Sequence, residues 1–436
     1  MKGRYYLLSL GCPKNTVESE HLAGLLQEDG WEPTSDPAQA QLLLVNTCGF
    51  VREAVDESLD AILALAAQKT PGQQLVVVGC LVGRYGYKLA RALPEAELLV
   101  APSHTSQLPK LIMSPPPARI AIGPPRGCMG LGHPRAISTG PGWAYMRIAE
   151  GCPHRCHYCT IPAIRGPLRS RPINELVAEA WALAKTGVKE LVLVAQDTGA
   201  YGQDLGMDHG LAGLLKALDS VEPIRWIRVM YLHPATLSPQ LAEAIATCER
   251  VLPYLDMPLQ HIHPRVLKLM GRPYTQEIAE RLQWLRSQIP GIVLRTTLMV
   301  GHPGEDERAF EELVQFVKEF RFEYLGVFTY QPEAGTRSAR HPAPDPAIAR
   351  ERKDLLLGLQ AGLSRQWLRS MTGTTQDVLY LGAHPDSELV GQARGWWQAP
   401  EVDGEAIVVE GTASPGELLP ARVVRAHTYD VEVSLG

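Results

Sequence analysis

The sequence lacks the features of a membrane or secreted protein. No apolar run approaches the roughly 18 residues that a membrane-spanning helix needs. The opening stretch MKGRYYLLSLGC has no basic region followed by an apolar stretch and a small-residue cleavage site, so we expect no signal peptide. There is also no low-complexity tract and no repeat of about 20–50 residues. We therefore expect a cytoplasmic protein without membrane contact.

The sequence also lacks a large excess of positive or negative charge. The 436 residues carry a net charge of −5; 20% are charged and 45% are hydrophobic. This composition is typical of a globular protein with substantial cores, and it excludes a global basic field for nucleic acid. At about 150 residues per domain, the length predicts roughly two to four domains.

The eight cysteines carry most of the information. In a large chain of a reducing compartment, cysteines are more often metal ligands or catalytic groups than disulfides. Six of them occur at patterned positions. We interpret the other two, Cys128 and Cys248, as a linker thiol and a helix-packing thiol.

Three short apolar runs each end in a cysteine, at 4–12, 41–48 and 74–80. Helical patterns at 16–30 and 51–69 separate them, which predicts a parallel sheet in a doubly wound α/β domain. Ligands gather at the carboxyl ends of such strands, so we expect the three cysteines at one edge of the sheet. Three converging thiolates fit a 4Fe–4S cluster with one open iron. The predicted ligands are Cys12, Cys48 and Cys80.

A second α/β series begins near residue 140. Its six strand candidates are 143–150, 189–197, 224–232, 254–260, 293–300 and 324–331, with helical patterns such as 174–187 and 307–320 between them. Six units predict an incomplete (β/α)6 barrel. After a charged helix at 347–370, short strands with turns predict a small β-barrel. We place the α/β domain at 1–115, a Pro- and Gly-rich linker at 116–137, the partial barrel at 138–368 and the β-barrel at 369–436.

The loop after the first strand of this series reads RIAEGCPHRCHYCTIPAIRG. Its cysteines, Cys152, Cys156 and Cys159, lie on the face where such barrels keep their chemistry. They fit three irons of a second cubane cluster. The alternative is a zinc site with His154 or His157 as fourth ligand, which is disfavoured because no second ligand pair follows.

A Cx3CxxC loop in this position resembles the signature of radical S-adenosylmethionine (radical SAM) enzymes. The whole chain resembles their methylthiotransferases through SLGCPKNTVESE, NTCGF, VVVGCLVGRY, LDMPLQHIHPRVLKLMGR, RTTLMVGHPGE and YQPEAGT, and GQARGWWQAPEVDG resembles their C-terminal TRAM barrel. The resemblance implies two 4Fe–4S clusters on the two cysteine sets. It also implies that S-adenosylmethionine binds the open iron at Cys152, Cys156 and Cys159, and that one electron cleaves it to a 5′-deoxyadenosyl radical. Tyr158 is expected near the adenine.

The context of the first cysteine, GCPKN, is similar to one branch of these methylthiotransferases. That branch modifies the β-carbon of an aspartate in small-ribosomal-subunit protein twelve, whereas the tRNA branch typically has Gly-Cys-Gln-Met-Asn. The expected partners are that protein, free or in the ribosome, an electron donor protein and a sulfur donor, with no direct tRNA contact. Two alternatives stay open: a tRNA adenosine-derivative methylthiotransferase, and a non-catalytic iron–sulfur protein that binds ribosomes or RNA.

The charge distribution favours the protein-modifying branch. Residues 371–436 contain ten acidic and three basic side chains, a formal charge of −7, whereas residues 1–370 carry +2. An acidic module repels phosphates and attracts a basic partner, although a merely solvated acidic surface is common. Trp396 and Trp397 are candidate anchors for that partner, with core packing as the alternative.

Weaker candidates follow other strands of the partial barrel, and for each a loop hydrogen bond is the alternative to a ligand role. Gln196 is the one that we predict, with Tyr158, to bind the cofactor. The others are Asp197, Gln260, His261 and the stretch Gly301 to Glu305. Arg165, Arg169 and Arg171 follow the cysteine loop; their guanidinium groups suit carboxylates, with pairing to the acidic surface as the alternative. We predict no separate catalytic residue.

Overall fold

The apolar runs of the N-terminal region form a parallel sheet with helices on both faces. The computed structural model describes residues 2–124, 130, 132–272 and 278–436. Six strands pair in the order β2-β1-β3-β4-β5-β6. The strands are β1 Gly3–Ser9, β2 Trp31–Pro33, β3 Leu42–Thr47, β4 Gln74–Gly79, β5 Leu98–Val100 and β6 Ile120–Ala121. The helices are α1 Pro13–Glu28, α2 Arg52–Gln68, α3 Cys80–Tyr85, α4 Tyr87–Ala92 and α5 Leu108–Met113.

Alternate residues of the central strands enter two different cores. Leu43 and Val45 of β3 pack with α2, whereas Leu42 and Leu44 pack with α1 and α5. This burial on both faces explains why the strand reads as a continuous apolar run, and it confirms the doubly wound class. Strands β2 and β5 were not predicted, because each has only three residues, and the two-residue β6 lies inside the predicted linker. The bounds of the four predicted segments stay predictions.

The second sheet is an open array of six parallel strands in the order β14-β13-β12-β11-β10-β7. A short antiparallel pair, β8 and β9, encloses the loop with the second cysteine set. The strands are β7 Trp143–Arg147, β8 Ala149–Glu150, β9 Arg169–Ser170, β10 Glu190–Val194, β11 Trp226–Val229, β12 Val251–Asp256, β13 Val293–Val300 and β14 Tyr324–Thr329. The helices are α6 Ile161–Arg165, α7 Ile173–Lys185, α8 Gly210–Asp219, α9 Pro239–Thr247, α10 Pro264–Leu269, α11 Ile278–Gln288 and α12 Glu307–Phe320. The predicted incomplete barrel is confirmed.

A long helix, α13 Pro346–Ser370, leads to a closed five-stranded barrel in the order β15-β16-β17-β19-β18. The predicted small β-barrel is confirmed. Its strands are β15 Thr375–His384, β16 Ser387–Gly395, β17 Ala406–Glu410, β18 Leu418–Ala426 and β19 Val431–Leu435.

The segment between β16 and β17 packs this barrel against the inner face of the second sheet. Tyr145 of β7 donates a hydrogen bond to Glu401 at 2.8 Å, and Tyr254 of β12 donates one to Asp403 at 2.7 Å. Trp397 is 0% exposed in a core shared by both domains, so it is a packing residue and not a partner anchor. Trp396 is half-buried and donates to Gln376.

Two predictions about location and thiols have different outcomes. Within the described ranges, no helix is both long and apolar enough to cross a membrane, and the cytoplasmic location stays a prediction. Cys248 ends α9 and packs half-buried against the core of the partial barrel, as a helix-packing thiol would. Cys128 lies outside the described residues.

Candidate active site

The first cysteine set gathers where β1, β3 and β4 end. Cys12 caps the N-terminus of α1, Cys48 follows β3 directly, and Cys80 is the first residue of α3. The strand order reverses beside β1 and β3, and such a switch point is where open α/β sheets bind ligands. Gly11 turns with φ +96°, and a Cβ built on it would lie 2.7 Å from the Cys48 Cβ. The loop before Cys12 therefore lies against Cys48 only because residue 11 has no side chain.

These thiols lie in a buried place where negative charge is costly. Burial raises the pKa of Cys48, and it raises the pKa of Cys80 to about 12 despite the opposing effect of a nearby guanidinium. The charge of Cys12 raises both pKa values further, which reflects how close the three thiols lie. Three thiolates can share this site only with a strong positive charge among them. The donor set thus fits an iron cluster.

Arg165, at the end of α6, reaches across the domain boundary into this site. Its Nε and Nη2 lie 3.2 and 3.0 Å from the Cys80 Sγ, and Nη2 also donates to Asn15 and Glu18 at 3.0 Å. The side chain is 3% exposed. A predicted carboxylate-binding arginine is therefore also a hydrogen-bond donor to a predicted cluster ligand, a contact that no sequence pattern predicted.

The second cysteine set lies on the loop between β8 and α6. Backbone bonds shape this loop: Cys152 N donates to Gly166 O, and Cys159 N donates to Cys156 O, both at 3.2 Å. Burial raises the pKa of Cys152 to about 11 and that of Cys159 to about 12, with the charge of Cys156 acting in the same direction. As in the first set, three thiolates here need a compensating positive group.

The two histidines of the zinc alternative have other partners. His154 Nε2 lies 2.6 Å from an Asp197 carboxylate oxygen, and its ring stacks on His233. His157 Nδ1 lies 3.0 Å from the Leu269 carbonyl. Across the described part of the chain, no three His, Cys, Asp or Glu side chains converge on a single ion. Thiolates of a cubane bind different irons and stand further apart, so the arrangement favours a cluster over zinc.

Tyr158 and Gln196, the two predicted cofactor contacts, lie on the same face as the second cysteine set. Arg272 Nη1 donates to the Tyr158 hydroxyl at 3.2 Å, and the ring of Tyr158 meets His302 edge-on. Gln196 donates to Glu150 at 2.7 Å. Its Oε1 is buried and has no hydrogen-bond partner among the described residues. That oxygen is an acceptor open to a bound molecule.

Glu150 connects the surroundings of the two cysteine sets. One carboxylate oxygen accepts from Gln196, and the other faces Arg147 at 3.1 Å and Arg165 at 3.4 Å. Burial opposes the charge on Glu150, but the two guanidinium groups outweigh it and hold its pKa below the ordinary value. Sequence reasoning missed Glu150, Arg147 and Arg272 although all three lie inside the quoted motifs, because a motif does not show which of its side chains meet in the fold.

Most of the weaker candidates have structural partners. Glu305 accepts from Gly301 N at 3.1 Å and pairs with Arg352, and His302 Nε2 lies 2.9 Å from the Ser338 hydroxyl. The backbone N–H of Gln260, which has φ +70°, donates to the Thr297 carbonyl. His261 contacts His263 and Glu305, and Arg171 pairs with Glu175 and Glu179. Arg169 lies half-buried in β9.

Family models match all three domains. Residues 4–101 match the uncharacterized protein family UPF0004, residues 146–317 match the radical SAM superfamily, and residues 372–435 match the TRAM domain.

Curated relatives match the chain from end to end. A ribosomal protein uS12 methylthiotransferase RimO of Syntrophobacter fumaroxidans is 45% identical over 436 residues, which is 98% of each chain. Another, from Anaeromyxobacter sp. (strain K), is 44% identical and covers 99% of this chain and 93% of its own.

Solved structures show the same fold at low identity. The radical S-adenosylmethionine methyltransferase TsrM from Kitasatospora setae, with cobalamin and a [4Fe-4S] cluster bound, has a TM-score of 0.58 at 16% identity and covers 78% of this chain and 74% of its own. The cobalamin-dependent radical enzyme OxsB, with aqua-cobalamin and S-adenosylmethionine bound, has a TM-score of 0.51 at 12% identity and covers 83% and 56%. The solved structures show the fold, and the near-full-length relatives identify the family: the chain belongs to the RimO family of radical SAM methylthiotransferases.

Proposed function

We propose that the protein methylthiolates the β-carbon of an aspartate in ribosomal protein uS12, which yields 3-methylthioaspartate. The observation that carries this proposal is the pair of three-cysteine sets at the carboxyl ends of two parallel sheets, with Arg165, which follows the second set in the chain, donating a hydrogen bond to Cys80 of the first. Sulfur insertion at an unactivated carbon needs one place that removes a hydrogen atom and another that supplies sulfur. The relatives with the same domains are named for uS12.

The six cysteines suit two 4Fe–4S clusters, each with three protein ligands. When bound, they supply an electron that cleaves S-adenosylmethionine and an iron site that carries the sulfur to be inserted. The chain's own part is to hold and orient. The buried Oε1 of Gln196 is an acceptor suited to the ammonium group of S-adenosylmethionine. Arg272 fixes the Tyr158 ring beside the loop, where an aromatic ring can pack against adenine.

The tRNA alternative is opposed by the charge of the C-terminal barrel. Part of its excess negative charge is neutralised within the protein, because Asp403 pairs with Arg295 at 3.3 Å and Glu405 lies 2.9 Å from His384. Two of its three arginines are also occupied: Arg394 is buried against Glu190, and Arg425 pairs with Glu432. The barrel therefore offers few free cations to a phosphate backbone.

The non-catalytic alternative is opposed by the chemistry of the two sites. A structural metal site normally completes its coordination with protein ligands, whereas each set here offers three thiols. We also propose that an electron donor protein and a sulfur donor act together with this enzyme.

The test uses the anaerobically reconstituted full chain with reductant, sulfide and S-adenosylmethionine. Protein uS12 and tRNA are offered in the same vessel and both are examined by mass spectrometry. We expect a methylthio gain on one aspartate of uS12 and none on tRNA. A gain on tRNA alone would refute the substrate assignment, and no gain on either would favour the non-catalytic alternative.

A further inference from the structure

Lys14, within the GCPKN motif, is a cation for which the proposed chemistry has so far given no role. It lies in the first turn of α1, two residues after Cys12, and it is half-buried. That turn contains no acidic residue. A lysine is unfavourable there, because the helix dipole already places positive charge at the N-terminus. Its placement therefore needs a reason other than helix stability.

The ammonium group lies over an aromatic ring instead of against a carboxylate. Lys14 Nζ is 3.7 Å from the centroid of the Tyr231 ring, a cation–π contact that uses one side of the group. In the ranges that the structure describes, Lys14 has no ion pair. The negative groups whose charge reaches it are Cys12, Glu150 and Asp256.

Both carboxylates near Lys14 already face an arginine. Glu150 faces two arginines and Gln196, as described above. Asp256 Oδ2 accepts from Tyr231 N at 3.1 Å, and its Oδ1 faces Arg295 at 3.8 Å without a hydrogen bond among the described residues. An ammonium has three donors, so Lys14 keeps donors for a further anion.

Tyr231 is held rigidly in an unfavourable backbone conformation. It follows β11 and has φ +60°, a region that a bulky residue rarely adopts. The strand ends on both sides fix it, since Thr198 N donates to the Tyr231 carbonyl at 3.1 Å and Asp256 holds its N–H. Strain of this kind is concentrated at functional sites, where the surrounding structure enforces it.

The position of this pair suits an aspartate substrate. Lys14 lies on helix α1 of the domain that bears the first cysteine set, and Tyr231 follows β11 in the domain that bears the second. In aspartate the β-carbon is bonded directly to the side-chain carboxylate carbon. A cation that binds the carboxylate here therefore also holds the β-carbon, which is one bond away from the carboxylate carbon. The β-carbon then lies between the two cysteine sites, both of which must reach it.

We propose that Lys14, seated on Tyr231, binds the side-chain carboxylate of the target aspartate. This inference rests on the proposed function, and it assigns the selection of aspartate to a residue of the GCPKN motif. The neutral methionine that the tRNA branch typically has at this position would offer no charge to a carboxylate.

The test compares two fluorescent peptides from the target loop of uS12, one with the aspartate and one with asparagine in its place. Their dissociation constants are measured on the holoenzyme by anisotropy. We expect the wild type to prefer the aspartate peptide by about tenfold or more, as for a charge-assisted hydrogen bond. Lys14→Gln should bring the ratio close to one, whereas Lys14→Arg should keep a preference. Lys88→Gln, at an exposed lysine, is the matched control and should keep the wild-type ratio.

Two results would overturn the inference. The wild type could show no preference for the aspartate peptide, or Lys14→Gln could keep the wild-type ratio. If Lys14→Gln weakens both peptides equally, the ratio is kept and Lys14 is a structural support of the site. Iron content and thermal midpoint verify that the variant is folded. If the wild type modifies uS12 while Lys14→Gln keeps the ratio, only the carboxylate assignment fails. If the wild type modifies no aspartate of uS12, the proposed function fails with it.

Discussion

The two cysteine sets contain the same ligands but are built in opposite ways. Cys152, Cys156 and Cys159 lie within one loop of eight residues, so local backbone bonds are enough to bring them together. Cys12 and Cys80 are separated by 68 residues in the sequence, and three parallel strands must align before they meet. The first arrangement depends on a loop conformation, whereas the second depends on an entire sheet.

The surroundings of the two sets also differ. In the sheet set Cys48 and Cys80 are buried and Cys12 is half-buried, and Arg165 of the other domain donates a hydrogen bond to the Cys80 sulfur. The loop set is half-buried on a face that also presents Gln196 and Tyr158. The open loop suits a site that admits a cofactor, and the enclosed sheet edge suits a site that retains a sulfur species. The predictions below separate these two roles.

The largest effect is expected when the loop set is broken. Cys156→Ala removes one of the three proposed cluster ligands, so S-adenosylmethionine should no longer be cleaved. We expect 5′-deoxyadenosine, measured by chromatography, to fall to the level without enzyme. Cys248→Ala is the matched control, because that thiol lies outside both sets. Formation of 5′-deoxyadenosine by Cys156→Ala at the wild-type rate would show that the loop does not hold the reducing cluster.

Iron content should divide equally between the two sets. The reconstituted wild type should contain about eight irons per chain, if each set holds one four-iron cluster. Replacing Cys12, Cys48 and Cys80 together by alanine should leave about four, and so should replacing the three loop cysteines. Metal analysis of the purified variants gives the answer. A wild type with about four irons would mean that one set is not a cluster site.

Arg165 is expected to matter for the sheet set and the domain boundary. Arg165→Gln leaves the buried carboxylates of Glu18 and Glu150 short of a cation, which should lower the free energy of unfolding by about 3–5 kcal/mol. Arg165→Lys should lose less, because the charge remains although the planar fork is gone. Denaturant unfolding measures both. Arg169→Gln is the control; an equal loss there would show that the contact with Cys80 and its neighbours is unimportant.

The smallest effect concerns pH and a histidine beside the loop set. Burial lowers the pKa of His302 to about 4, from an ordinary value near 6.5. The folded protein therefore favours the neutral ring, and this stabilisation is complete above pH 6.5 and is lost as pH falls towards 4. Between pH 6.5 and 5 the loss should approach about 2 kcal/mol. His302→Phe should reduce the dependence of unfolding free energy on pH by that amount, and an unchanged dependence would contradict the assignment.

Elements with a strong local pattern could be predicted from the sequence. The helix predicted at 307–320 is observed at the same bounds, because its apolar residues recur at helical spacing and Asp306 caps it. The cysteines that end β1, β3 and β4 were placed at one sheet edge by the geometry of parallel strands alone. By contrast, β2, β5 and β6 have three, three and two residues, which is too short for any periodicity to identify.

Contacts between domains could not be predicted in this way. Arg165 and Cys80, for example, belong to different domains and are 85 residues apart. No local propensity relates such pairs, because they meet only after two sheets have formed and packed together. The same holds for Trp397, whose burial depends on a core built by two domains.

The most direct test of the division between the two sets is the product spectrum of Cys48→Ala with uS12 and S-adenosylmethionine. The variant should still release 5′-deoxyadenosine, because the loop set is intact, while mass spectrometry finds no methylthio group on uS12. Loss of 5′-deoxyadenosine together with the methylthio product, in a folded variant that keeps about four irons, would contradict separate roles for the two sets. So would continued methylthiolation.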